Sequence, residues 1–389
     1  MTSVSPETRD WLRRLVALDT TSRDSNLPLI ELVADHVRGL GLTPHVFPTP
    51  DGAKANLVVT VPDADDNTSG GVMLSGHTDV VPVDGQAWTS DPFELTKRDG
   101  RLYGRGTADM KGFNAVVIAA LPELLAQPLR QPVHLAFSYD EEVGCQGAPP
   151  MVDALAELGL APEVTFVGEP TSMRMICAHK SINVIRIAVR GVAAHSSLTD
   201  QGVNAIEHAA SIIRWWRERC DRWRDEGPYD EGYPIAHTTG AVTLISGGNG
   251  VNIIPAEADV ALEFRAIAEV DDAAVIAELE AACAQVEATM RDEDPAASVT
   301  VTVETSTVGL ETPLDAPAVR LGEALGLEPL PDKVTYGTEA GIYSDAGISA
   351  VVCGPGDIAQ AHKADEFIEI SQLAACEEFV GRLIAHLRA

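Results

Sequence analysis

Short apolar runs recur along the first half of the chain, each bounded by glycine, proline or charged residues. Residues 56–61, 72–75, 133–139 and 164–167 read as strands, because runs this short and this rich in Val, Leu and Phe suit a sheet covered on both faces. Residues 28–39, 112–126 and 150–158 read as helices between them. Ser5 and Pro6 form an N-cap and first helical position for a segment that turns Trp11, Leu12, Leu15 and Val16 inward. The alternation predicts an α/β domain with a parallel or mixed sheet.

From residue 181 the texture changes. Strands are expected at 182–189, 241–245 and 258–264, with helices over 202–217 and 270–290. A last strand follows, in which Val299, Val301 and Val303 alternate with Thr300, Thr302 and Glu304. The order βαββαβ is that of a split βαβ, ferredoxin-like unit. Residues 335–389 return to the α/β pattern, with a strand at 350–353 and a closing helix from 371. The stretch 215–226, rich in Arg, Glu and Trp, reads as the solvated end of a helix.

Composition narrows the field of partners. A chain of 389 residues exceeds one ordinary core, which favours two domains. Its 28 basic and 58 acidic side chains give a net charge of −30, which disfavours nucleic acid and anionic membranes as partners. No apolar run approaches the roughly 18 residues of a membrane span, and the amino terminus lacks the pattern of a signal peptide. Cys145, Cys177, Cys220, Cys283, Cys353 and Cys376 lie far apart in sequence, so free thiols in a cytoplasmic protein are expected.

Four of the strands run into turns that carry carboxylate or imidazole groups. Residues 72–75 lead to His77 and Asp79, and 133–139 lead to Glu141 and Glu142. Residues 164–167 lead to Glu169, and 350–353 lead towards His362. In an open α/β sheet, ligand sites gather at the carboxyl ends of the strands. A fifth segment sets Asp109 in a glycine-flanked loop before a helix. His77, Asp109, Glu142, Glu169 and His362 form a nitrogen and oxygen set suited to Zn²⁺, Mn²⁺ or Co²⁺, and five ligands serve two ions if one carboxylate bridges them. The adjacent carboxylates of Glu141 and Glu142 repel unless a cation or proton intervenes. A metal on one and a base role for its neighbour resolves that conflict. His36, His45, His134, His208, His237 and His386 are given no metal role.

Taken in order, SGHTDVVP, RLYGRGTADMKG, DEEVG, GEPT, GVAAHSS, NIIPAEADVALEFR, GTEAG and GPGDIAQAHKADE resemble the zinc aminoacylase/carboxypeptidase clan over nearly the whole chain. The resemblance is closest to its acetylornithine deacetylase and succinyl-diaminopimelate desuccinylase branch, and to acetylornithine deacetylase within it. It implies two Zn²⁺ per subunit, with Co²⁺ or Mn²⁺ as substitutes. One would sit on His77, Asp109 and Glu169, the other on Glu142, His362 and the shared Asp109. Asp79 would orient His77, and Glu141 would be the general base.

The same resemblance implies a catalytic metal-binding domain of residues 1–180 and 306–389, with residues 181–305 inserted as a lid and dimerisation domain. His195 would reach the partner subunit's site as an oxyanion donor, which predicts a homodimer through the inserted domain. Asn252 and Arg265 would contact substrate, with Arg265 paired to its α-carboxylate. Gly337, Thr338 and Glu339 would line the same pocket, Glu339 favouring a cationic side chain. Ser181 stands where that branch often carries glycine, at the expected hinge into the lid.

The implied reaction is hydrolysis of N-acetyl-L-ornithine to L-ornithine and acetate, as in arginine biosynthesis. Other N-acyl amino acids (N-succinyl, N-acetyl or N-formyl), dipeptides, or a catalytically silent binding role are the alternatives.

Overall fold

In the computed structural model, which describes residues 4–388, the apolar runs of the first half become neighbours in one six-stranded mixed sheet. The expectation about the amino terminus falls partly on Met1, Thr2 and Ser3, which lie outside the described residues. The chain divides into two units. The first comprises the chain up to Ala178, Glu311–Pro331, and everything from Thr338 onward. The second comprises His179–Leu310 and Asp332–Gly337.

In the first unit the strand order is Pro44–Pro48, Ala55–Val61, Val133–Ser138, Val72–His77, Val164–Pro170, Ser349–Gly354. The first two pairings are antiparallel and the last three parallel, so four strands end at the same edge. The three inner strands Val133–Ser138, Val72–His77 and Val164–Pro170 are buried along their whole length, which their continuous apolar runs require. Helices Pro6–Val16, Leu27–Gly39 and Ile370–Arg388 complete the core. Ser5 caps the first of them, its Oγ accepting the Thr8 N–H at 3.1 Å. Glu377 fastens that cap, accepting from Ser5 N, Ser5 Oγ and Thr8 Oγ1.

The helix expected over 112–126 is instead two, Lys111–Ala119 and Leu121–Leu124. Pro122 lacks the N–H that a continuous helix needs. The longer piece is buried nearly throughout and lies tight against the sheet. A Cβ on Gly168 would stand 2.1 Å from Phe113 Cγ, and one on Gly76 would stand 2.3 Å from Asn114 Oδ1. Glycine at these two strand positions is what lets the helix approach.

In the second unit four antiparallel strands are ordered Thr239–Gly247, Glu257–Arg265, Ile182–Arg190, Ser298–Thr307, with helices Ala205–Glu226 and Asp272–Glu293. This is the strand order of a split βαβ unit. Asn204 and Asp271 cap the two helices through their side-chain oxygens. The first helix runs nine residues past the expected 217, and its Arg- and Trp-rich end is not simply solvated. Trp216 and Trp223, two turns apart, are buried against Phe264 with ring centroids 5.9 and 6.1 Å away. Such aromatic pairs add about 0.5–1.5 kcal/mol each beyond the area they bury. Ser181 has a local task, its hydroxyl accepting the Ala266 N–H and donating to Asp272 Oδ1, both at 3.0 Å.

Among the described residues no helix is long and apolar enough to cross a membrane. The six cysteines are free thiols, and all but Cys220 are buried.

Candidate metal centre

Four parallel strands of the first unit deliver side chains to one edge of its sheet. His77 is the last residue of its strand, and Glu169 is the last but one of its own. Glu141 and Glu142 follow Val133–Ser138, and His362 follows Ser349–Gly354 after the short turn Ile358–Gln360. Asp109 arrives from the loop before Lys111–Ala119, a helix whose Asn114 Nδ2 donates to the His77 carbonyl at 2.6 Å.

Asp109 stands between the two histidines. Its Oδ1 lies 3.0 Å from His77 Nε2 and its Oδ2 lies 3.2 Å from His362 Nε2. Glu142 Oε2 is 2.9 Å from the same His362 nitrogen, and Glu169 Oε1 is 3.6 Å from His77 Nε2. His77 Nδ1 donates to the Asp79 carbonyl at 2.9 Å, with Asp79 Oδ1 at 3.5 Å. That bond leaves Nε2 facing the carboxylates.

Glu141 shares the turn with Glu142. Ligand atoms of His77, Glu141 and Glu169 lie within 4.8 Å of one another, as do those of His77, Asp109 and Glu142. Sequence reasoning missed two supports of this turn. Lys54 Nζ grips the Asp140 carboxylate at 2.5 and 2.7 Å, and Asp140 holds a left-handed φ of 54° just before Glu141. The Cys145 thiol donates to Glu141 Oε1 at 3.5 Å, and burial keeps that thiol protonated. Neither contact has a sequence signature, because each joins a common residue to a partner defined only by the fold.

The cluster gathers two imidazoles and four carboxylates. Burial, reinforced by neighbouring carboxylates, raises Glu141 and Glu169 well above the usual carboxyl range and Glu142 to about 7. Hydrogen bonds to Asp109 and Glu142 lift His362 to about 10. Burial pulls His77 down, but Glu169, Asp109 and Asp79 carry it well above its ordinary value. Asp109 is held low because the two histidines outweigh its burial. The centre therefore demands positive charge, supplied either by protons or by cations.

Glu142 Oε1 and Glu169 Oε1 are buried without a hydrogen-bond partner among the described residues. Unpartnered oxygens of this kind call for a counter-charge. Together with the imidazole and carboxylate donors they suit divalent cations, for which His77, Asp109, Glu142, Glu169 and His362 would serve as ligands.

The other expected residues are divided between the two units. Glu339 is 1% exposed, and burial pushes it up to about 7. Its charge bears on Glu141 and Cys145, and those of His77 and Asp79 bear on it, so it lies near the cluster, out of contact with solvent. Thr338 is buried and accepts the Ala340 N–H through Oγ1 at 3.1 Å. Gly337 belongs to the second unit, where a Cβ would meet Ile182 at 2.6 Å.

Within that second unit His195 and Asn252 are neighbours. The strands Ala194–His195 and Ile253–Ile254 pair, and Ser196 N donates to the Asn252 carbonyl at 3.0 Å. His195 is exposed, and its Nδ1 lies 2.8 Å from Ser197 Oγ and accepts the Ser197 N–H at 3.2 Å. Arg265 lies at the end of its strand, 3.5 Å from Glu263.

Comparison with known proteins identifies the family and the fold. The model of peptidase family M20/M25/M40 matches residues 73–386. The chain is 36% identical to an acetylornithine deacetylase of Myxococcus xanthus, over 99% of each protein. It is 34% identical to an acetylornithine deacetylase of Photorhabdus laumondii, over 95% of this chain and 93% of that one. Among solved structures it resembles an M20 family metallo-carboxypeptidase from Sulfolobus solfataricus, with a TM-score of 0.75 at 17% identity over 98% and 99% of the two chains. It also resembles a dinuclear metal binding peptidase of that family from Bacillus subtilis, with a TM-score of 0.63 at 15% identity over 98% and 97%. At these identities the structural likeness is one of fold.

Proposed function

The chain belongs to peptidase family M20/M25/M40 and is an enzyme of the N-acyl amino acid hydrolase type; from that premise we propose that it removes the acetyl group of N-acetyl-L-ornithine, with zinc as its metal. The observation that carries the hydrolytic reading is Asp109, whose two oxygens are divided between His77 and His362. The substrate rests on the near full-length similarity to acetylornithine deacetylases.

When bound, the two cations supply the charge that acidifies the attacking water and polarises the amide carbonyl. Glu141 takes the proton of that water and delivers it to the leaving nitrogen. Burial, the largest cause, raises the pKa of its carboxyl, which suits a group that must hold a proton between the two steps. Asp79 keeps His77 oriented and steadies the turn that carries Glu141.

His195 stabilises the oxyanion of the partner subunit's site in a homodimer built through the second unit, which acts as the lid. Asn252 and Arg265 hold the substrate, Arg265 by its α-carboxylate. Glu339, buried near the cluster, favours a cationic substrate side chain. Six free thiols are in keeping with a cytoplasmic location.

The test is amine release by the zinc-loaded protein from a panel of acetyl-, succinyl- and formyl-amino acids and dipeptides. Acetylornithine is expected to give the highest kcat/KM. A higher value for another panel member would overturn the substrate while keeping the reaction class.

A further inference from the structure

Glu366 lies four residues beyond His362, is 1% exposed, and has no part in the chemistry above. Its carboxylate is filled from four sides. Oε2 accepts from Arg105 Nη1 at 2.7 Å and from Gly106 N at 3.0 Å. Oε1 accepts from Ala108 N at 2.9 Å and from Asp109 N at 3.2 Å. Its carbonyl also accepts the Gly104 N–H at 3.0 Å. One residue thus holds four backbone donors of the loop that presents Asp109, those of Gly104, Gly106, Ala108 and Asp109.

The hold continues to His362 itself. Arg105 Nη1 also donates to the Lys363 carbonyl, and its Nη2 donates to Gln86 Oε1 at 2.6 Å. Gln86 Nε2 then donates to the His362 carbonyl at 3.1 Å. His362 needs such a hold, because its side chain is 53% exposed and its backbone sits at a left-handed φ of 63°. Without it neither the distance nor the aim of its imidazole towards Asp109 would be fixed.

We propose that Glu366 is a positioning residue for the metal centre, locking the Asp109 loop to the His362 segment so that Asp109 stays between the two histidines. It touches neither substrate nor metal and acts through Asp109 and His362. A purely structural carboxylate would affect folding alone. This one governs the spacing of ligands that must converge, so its loss weakens metal binding in protein that remains folded. The inference rests on the metal-centre reading.

The test is zinc titration of metal-free protein against a competing chelating dye, for the parent, Glu366→Gln, Glu366→Asp and Glu377→Gln. Glu377→Gln is the control, since it perturbs a carboxylate that likewise accepts several hydrogen bonds, part-buried ones at the first helix cap. Glu366→Gln, with folding verified by circular dichroism, is expected to lose about 10–100-fold in zinc affinity. Glu366→Asp keeps the charge beside Arg105 but spans fewer donors, so it should recover stability more than affinity. Glu377→Gln should bind as the parent does. Parental affinity in folded Glu366→Gln would overturn the proposal, as would an equal loss in Glu377→Gln. If Glu366→Gln does not fold, parental affinity in Glu366→Asp overturns it. A parent that binds no zinc would instead overturn the metal-centre reading and this inference with it.

Discussion

Asp79 Oδ1 lies 3.5 Å from His77 Nδ1 and accepts the backbone N–H of Glu141 at 3.1 Å, so one carboxylate both faces the His77 imidazole and anchors the turn bearing the base. Its other oxygen accepts from Glu142 N at 3.3 Å and from Ser22 Oγ at 2.7 Å. Asp79→Ala should therefore lower both kcat/KM and zinc affinity, by about 10–100-fold each. Asp79→Asn should recover only part of the loss, because one side of its amide donates where an acceptor is needed. Steady-state kinetics beside metal analysis checks this, and unchanged values in both variants would refute the double role.

Replacing Glu141 by Gln separates base from ligand. Turnover should fall by roughly 10² or more while zinc content stays that of the parent. The proximity of Glu141 to His77 and Glu169 makes the second measurement decisive. Loss of metal together with loss of rate would make Glu141 a ligand instead.

A trans role for His195 can be read by complementation. His195→Ala and Glu141→Ala proteins should each be nearly inactive. In a two-fold dimer, random exchange of their subunits rebuilds roughly one site in four. Recovery of about a quarter of parental activity on mixing is the expected result. No recovery, with subunit exchange verified, would keep His195 within its own subunit or out of the reaction.

His179, buried in the second unit, predicts an acid-side loss of stability. Burial lowers it from the ordinary 6.5 to about 4, against the opposing bond to the Lys180 carbonyl. Between those values the unfolded chain binds more protons than the folded one. The contribution is therefore complete above pH 6.5 and lost as pH falls towards 4, amounting to about 3 kcal/mol in all. Urea unfolding at pH 7.5 and 4.5 should show a smaller acid-side loss for His179→Gln than for the parent. Equal losses would assign the acid sensitivity to other groups.

The strands that end at the centre were legible because their apolar runs break abruptly at His77, Glu142 and Glu169, and strand ends share an edge in an α/β sheet. The strand Pro44–Pro48 was not, since its bracketing prolines read as loop. The length of Ala205–Glu226 was hidden because arginines mask the spacing of Trp216 and Trp223. Glu366 could not be found from the chain, because most of its partners are backbone N–H groups, which every sequence offers. The burial of Glu339 beside Glu141 was equally hidden, because it depends on neighbours that only the fold defines.

The central claim is that the Asp109-centred cluster is a metal-dependent amidohydrolase site. The most direct measurement is amine release from N-acetyl-L-ornithine by one preparation as purified, after exhaustive chelation, and after zinc is restored. The account predicts turnover that vanishes on chelation and returns with about two zinc ions per chain. Turnover unaffected by complete metal removal would contradict it.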